Sequence, residues 1–429
     1  MAENHLKKII YNYSSLGVIQ VVNFLLSLMV IPYAVRKVGA DGFGIIAVAQ
    51  VVMYFLSVIT DYGFNQTATR DIAVYKNDTQ KISKIFFTVL SSRLLLCLLA
   101  FVLLIVLILV VPLFHGHFSL YLMAFAFVIG QAFLINWFFQ GLEKMHYIAI
   151  IILIARLIFV GFVFTFIRGK EDISFYLFFM GLGNVIAGAI SIYAAFRIFK
   201  LKFTKPTRHD IINEFKEGWQ ITVTNLSITS CQYIGVFILR LFTNDLIVGY
   251  YSIAEKIYFS MKILIGLFSQ VIYPKVCQLV LTERNRIILF FKQTYLPFLG
   301  LASMGSALVF IFSPQILYFF IGHKHESSSF LLRVMCIATV IVCLNIPAYL
   351  VLLATNHKKS YLRIFTYGTI LNIMANILLV PFFDAIGTVF SVILTELFIT
   401  IGLCWELYRF YIYNKNKGKR FLMSLFHKP

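Results

Sequence analysis

Acidic side chains are scarce in this sequence. Its 429 residues hold 18 Asp and Glu against 37 Lys and Arg, for a formal net charge of +19. Charged residues of both signs make up only 13% of the chain, where a soluble domain carries about 25%. No polar stretch is long enough to build a water-soluble domain. Cysteine is also sparse. The six residues Cys97, Cys231, Cys277, Cys336, Cys343 and Cys404 form no CxxC pair and lie in or beside apolar runs. They read as small buried hydrophobes, not as a disulfide framework or a metal site. P-loop, HExxH and dinucleotide-binding fingerprints are missing, so ATP-driven pumping and common cofactor chemistry have no support and no cofactor is expected. The pairs His115/His117 and His323/His325 lack further ligands and read as solvated loop histidines. The first apolar run is too long for a cleavable signal and has no A-x-A site, so it reads as an anchor.

Apolar residues fill the space that charge leaves. They make up 60% of the chain, and the mean hydropathy is +0.87. The pattern predicts an all-α polytopic membrane protein. Its twelve expected spans run roughly over 12–35, 42–62, 85–111, 118–140, 147–167, 174–196, 217–239, 247–273, 288–312, 329–353, 361–381 and 385–408. Each has about the 20 residues that cross a bilayer core.

The basic excess then has a location. With the N-terminus inside, 26 Lys and Arg fall on the cytoplasmic side and six on the other. Basic residues concentrate on the cytoplasmic side of membrane proteins. The charge is therefore a topological signal with no nucleic-acid partner implied, and both termini are expected in the cytoplasm.

The chain also repeats itself. The segment 36–70 reads RKVGADGFGIIAVAQVVMYFLSVITDYGFNQTATR, and its plan returns at 240–275. Arg36 matches Arg240 and Asp41 matches Asp245. After one inserted residue, Gly44 matches Gly249, Ala49 matches Ala254 and Gln50 matches Glu255. At the same offset Gln20, Asn23 and Ser27 match Thr224, Ser227 and Cys231. Repeats of this kind mark transporters built from two halves. The expected division is a first lobe over 1–196, a basic, proline-bearing cytoplasmic linker over 197–216, and a second lobe over 217–429. Each lobe carries six spans. The matched polar sets are candidates to line a cavity, with helix–helix packing as the competing reading.

Several charges fall within spans. Arg93 is expected to snorkel to the cytoplasmic interface, and Arg333 to the outer one. Arg156, Glu255, Lys256, Lys262 and Glu396 are deep. At 1.5 Å per residue Lys262 lies about 25 Å from Asp245 and about 20 Å from Lys275, near the midplane. Such a charge costs at least about 2.5–3.5 kcal/mol and persists only beside a partner or water. It marks function or a structural ion pair. In span eight Tyr251, Glu255, Tyr258, Lys262 and Ser269 share one helix face, which is expected to line a lumen. Lys and Arg at that depth suit a phosphate-bearing substrate.

The stretches IPYAVRKVGADGFG, TDYGFNQTATRDIA, NWFFQGLEKMHYIAI and GYYSIAEKIY resemble the Wzx-type O-antigen flippases. These belong to the polysaccharide biosynthesis family of the multidrug/oligosaccharidyl-lipid/polysaccharide exporter superfamily. The resemblance implies a V-shaped cavity between the lobes. It also implies movement of undecaprenyl-diphosphate-linked oligosaccharide repeat units from the inner to the outer leaflet of the bacterial plasma membrane. The other partners it implies are membrane lipid and the polysaccharide polymerase and chain-length machinery. The expected substrate contacts are Lys256 and Lys262 with Arg156, and at the cytoplasmic face Arg70 and Lys144. Glu255 or Glu396 would couple transport to an ion. Gln20, Asn23, Ser27, Thr224, Ser227, Tyr251 and Tyr258 would line the cavity. Three rivals remain open: a membrane polymerase or glycosyltransferase, a scaffold of the assembly complex, and a drug/cation antiporter. The last is disfavoured because span one has no acidic residue.

Overall fold

In a bilayer every backbone N–H and C=O must be satisfied inside the protein, and a long apolar run does so as a helix. The computed structural model describes residues 2–282, 286–355 and 358–425; the side chains of Gln20, Asn23 and Ser27 lie outside those described. No strand occurs among the described residues. Ten of their helices are long and apolar enough to cross a membrane, by length and composition. The chain is a multi-pass, all-α membrane protein.

Two long helices carry a non-helical residue inside them. Helix α1 (Ala2–Asp61) is interrupted at Gly39, with φ 81° and ψ 166°. Only glycine adopts that backbone without strain. The break falls between the expected spans 12–35 and 42–62. The last helix, Lys358–Leu425, is interrupted at Asp384, with φ 48° and ψ −132°. That break falls between the expected spans 361–381 and 385–408. Its two arms fold back on each other: a Cβ added to Gly387 would meet the Leu379 carbonyl oxygen at 2.6 Å.

After α1 come α2 (Phe64–Val74), α3 (Thr79–Val110), α4 (Phe118–Ala124), α5 (Ala126–Phe133), α6 (Asn136–Gly141), α7 (Met145–Phe166) and α8 (Ile173–Phe199). Then follow α9 (Arg208–Phe242) and α10 (Asp245–Thr282). The remainder is α11 (Arg286–Phe290), a π-helical turn at Phe291–Tyr295, α12 (Leu296–Ile311), α13 (Ser313–Ile321), α14 (Glu326–Leu344), α15 (Ile346–Ala354) and α16 (Lys358–Leu425). The chain divides into two compact units. One comprises 1–253 with 319–323, the other 254–318 with 324–429.

In the first unit α5, α7 and α8 pack through small residues. A Cβ on Gly181 would sit 2.3 Å from the Phe127 nitrogen, and one on Gly183 would sit 2.4 Å from the Ala155 carbonyl oxygen. Close backbone approach of this kind is how membrane helices associate where no hydrophobic force separates them from lipid. An aromatic cluster of Phe64, Phe86, Trp137, Phe138 and Phe139, each 0% exposed, fills the unit below. The DYGF corner enters it through Gly63 in a left-handed conformation.

The second unit shows the same accounting for backbone groups. Pro347 has no N–H to give the Cys343 carbonyl one turn earlier. The helix accordingly divides into α14 and α15, and the Tyr295 hydroxyl donates to that carbonyl at 3.1 Å. The arms of α16 are joined by buried polar groups, with Asn372 Nδ2 donating to Thr395 Oγ1 at 3.1 Å.

Candidate functional site

Span four is the key irregularity of the first unit. Instead of one continuous helix over 118–140, it is the three pieces α4, α5 and α6, and Leu134 and Ile135 leave the helix. Freed carbonyls at that depth need donors. Arg93 of α3 supplies them, donating from Nη1 to the Leu134 carbonyl at 2.9 Å and to that of Gln131 at 3.5 Å. Its Nη2 donates to the Asp61 carboxylate and to Asn65 Oδ1. Arg93 is 2% exposed. The expectation that it snorkels to the interface is therefore wrong: it has an anion and two carbonyls to satisfy inside the protein. The signal available in the sequence was Asp61 of DYGF, at the same end of a neighbouring span.

Two adjoining cavities, of about 330 and 270 Å³, open beside this break. They share Tyr54, Phe127, Gln131, Leu134 and Asn136. The larger adds Ser57, Asp61, Asn65, Arg93, Asn225, Thr229 and Tyr233. The smaller adds Arg156, Met180 and Asn184. Tyr54 and Tyr233 lie with ring centroids 4.6 Å apart. Arg156, singled out from depth alone, lines the smaller cavity and makes no hydrogen bond or ion pair among the described residues. Of the amides around it, Asn136 opens the NWFFQGLEKMHYIAI stretch, while Gln131 and Asn184 lie in no quoted stretch; none was singled out as a site residue.

The second unit answers the deep charges differently. Lys262 Nζ donates to Glu396 Oε1 at 2.7 Å, and the Tyr258 hydroxyl donates to the same oxygen at 3.2 Å. Lys262 also lies 5.3 Å from the centre of the Tyr258 ring. Two charges singled out separately in spans eight and twelve thus satisfy one another. The side chains are 27% and 12% exposed, so the pair is not sealed from its surroundings. Tyr251, Glu255 and Tyr258, on the same face of α10, are buried at 1%, 4% and 3% exposure, while Lys256 is half-buried.

The sequence model of the family described as polysaccharide biosynthesis protein matches residues 9–280. The chain belongs to this family. Two relatives each carry the name "Putative O-antigen transporter". One, from Escherichia coli (strain K12), is 26% identical over 391 residues, covering 91% of this chain and 94% of its own length. The other, from Shigella dysenteriae, is 27% identical over 387 residues, covering 88% and 95%. The fold is shared with solved transporters. An inward-closed structure of the lipid II flippase MurJ superposes with a TM-score of 0.73 at 14% identity, covering 91% of this chain and 87% of that one. An inward-facing multidrug transporter of the MATE family gives 0.70 at 15% identity, covering 92% and 96%. The family is the one that the DYGF, FQGLEK and AEK stretches resembled.

The remaining candidates of this family member lie on α2 and α9 or just before α7. Arg70 donates to Asp71 at 2.8 Å and to Glu217 at 2.5 Å, tying α2 to α9. Lys84 reaches Asp210 at 2.8 Å in the same way. Lys144 is exposed. Thr224 and Ser227 donate to carbonyls of their own helix, at Gln220 and Val223. Their neighbours Asn225, Thr229 and Tyr233 line the larger cavity. Arg333, expected at the outer interface, bonds Ser313 Oγ at 3.0 Å. Among the described residues no cluster of His, Cys, Asp and Glu could hold a metal ion.

Proposed function

We propose that this chain is a flippase for undecaprenyl-diphosphate-linked oligosaccharide repeat units, carrying them from the inner to the outer leaflet of the bacterial inner membrane. Transport would proceed by alternating access of two six-span lobes, 1–196 and 217–429, joined by the cytoplasmic linker 197–216. Both termini would lie in the cytoplasm, as the 26-to-six distribution of basic residues favours. Family membership and relatives named as O-antigen transporters support the substrate class.

The observation that carries the reading is the Lys262–Glu396 pair with Tyr258. A lysine near the midplane is costly to keep, and it is held here by a carboxylate that another anion can replace. A diphosphate offers Lys262 the same charge-assisted bond that Glu396 does, and Lys256 lies on the same helix. Protonation of Glu396 would release Lys262 for the substrate, and return of the substrate-free lysine would expel the proton. That cycle makes Glu396 the coupling residue, with Glu255 the second candidate. Arg70 and Lys144 would receive the headgroup at the cytoplasmic face, and the polysaccharide polymerase and chain-length machinery would be further partners.

Reconstitution in phospholipid vesicles with a fluorescent polyprenyl-diphosphate-linked oligosaccharide tests this. The wild-type chain is expected to move the label between leaflets, and Lys262→Ala and Lys256→Ala to lose most of that rate. Normal flipping by both variants would remove these lysines from the mechanism. Glu396→Gln should keep binding but lose dependence on an imposed proton or sodium gradient.

A further inference from the structure

The chamber in the first unit differs in chemistry from the lysine pair in the second. Amides are the largest class in its polar lining: Asn65, Gln131, Asn136, Asn184 and Asn225 each carry both donors and an acceptor. Hydroxyl groups on a sugar need that mixture, because each hydroxyl both donates and accepts. A phosphate needs donors alone. The Asn136 oxygen is buried and has no hydrogen-bond partner among the described residues, and a buried acceptor left open in this way costs free energy until something donates to it. The Tyr54 and Tyr233 rings supply an aromatic wall. The volumes, about 330 and 270 Å³, are near the lower end of small-molecule sites at about 300–1,000 Å³.

Charge narrows the ligand further. Of the two arginines in the lining, Arg93 is neutralised by Asp61 and occupied by the carbonyl of Leu134. Arg156 alone adds net charge, and its guanidinium has no protein hydrogen bond to give up. A single positive charge set among neutral amides matches a singly charged substituent on a neutral ring. A guanidinium fork fits a carboxylate with two parallel bonds.

We propose that this chamber is a glycan subsite that selects a sugar bearing a carboxylate, with Arg156 as the receptor of that carboxylate. The inference rests on the flippase reading for the source of the glycan, but binding in the chamber can be measured without transport.

The first measurement uses the purified full chain in detergent. Trp137, beside Asn136 and 0% exposed, reports the chamber once the two other tryptophans are changed by Trp219→Phe and Trp405→Phe. Two soluble disaccharides are titrated, identical except that one ends in glucose and the other in glucuronic acid. The acidic disaccharide is expected to bind about ten-fold tighter. Arg156→Gln should erase that preference and Arg156→Lys should retain part of it. Equal binding of the two sugars by the wild-type chain would overturn the proposal. The second measurement uses vesicles and the same disaccharides carried on polyprenyl diphosphate. Arg156→Gln is expected to slow the acidic glycan about ten-fold more than the neutral one. Equal slowing of both would assign Arg156 to the shared diphosphate and overturn the proposal. Failure of the wild-type chain to move either lipid would sink the flippase reading while the titration still decides the subsite.

Discussion

Arg93→Met is expected to destabilise the protein by about 3–5 kcal/mol, the usual cost of breaking a buried ion pair by removing one partner. The loss has two parts. Asp61 would keep a buried charge without its counter-ion, and the Leu134 carbonyl in broken span four would lose its donor. Leu134 is buried at 7% exposure, and the Asp61 side chain keeps only 22% exposure, toward the larger cavity. Arg93→Lys should recover only part of the loss, because one ammonium cannot reproduce a fork that serves a carboxylate and two carbonyls at once. Asp61→Asn should cost less than Arg93→Met, since the amide oxygen still accepts from the guanidinium. Thermal unfolding of the purified variants in detergent, followed by intrinsic fluorescence, checks the order. An Arg93→Met protein that melts with the wild type would mean that span four holds its break without the arginine. The same variant is expected to collapse the larger cavity, because Leu134 and Gln131 line it and take their geometry from Arg93.

The reading from sequence and the structure part company at such places, and for physical reasons. Apolar runs of membrane length announce helices because a bilayer leaves few alternatives. The turns at Gly39 and Asp384 fall where expected because composition changes there. Position along the apolar runs singled out Arg156, Lys262 and Glu396 as candidates, and the same rule misjudged Arg93. Pairing was not legible. Lys262 and Glu396 are 134 positions apart and Arg93 and Asp61 are 32 apart, and nothing in either spacing states which charge meets which. The break in span four was also hidden, because no proline or glycine marks Leu134 or Ile135. Its cause is a donor on another helix. The amide lining of the chamber escaped for a similar reason: Asn136, Asn184 and Gln131 are neutral and lie on different helices, and Asn136, though it opens the NWFFQGLEKMHYIAI stretch, carries no charge to draw attention to it.

Gly249→Val and Gly44→Val are each expected to disrupt the crossing of α1 and α10 and to abolish transport. The two glycines occupy matching positions in the internal repeat, and in the first unit they face each other. A Cβ on Gly44 would lie 1.9 Å from the Asp245 carbonyl oxygen, and one on Gly249 would lie 1.8 Å from that of Ala40. Those atoms are backbone, which no rotamer change can move aside. The helices would have to separate by an ångström or more. Overpacking typically costs about 1–3 kcal/mol, and a clash with backbone belongs at the upper end of that range or above it. The arrangement makes a sharper claim than loss of stability. One displacement relieves both clashes, so Gly44→Ala and Gly249→Ala should be strongly non-additive, with the double variant little worse than either single one. Gly161→Ala is the control, because a Cβ there meets nothing within 4 Å. It should leave the melting temperature unchanged or raise it slightly, as alanine favours the helix. Melting temperatures of the three alanine variants and the double variant decide the matter. Simple addition of the two losses would mean that each glycine is accommodated separately. In that case the match between the repeat and the crossing would carry no mechanical weight. Non-additivity would show that Gly44 and Gly249, one from each half of the repeat, form a single contact.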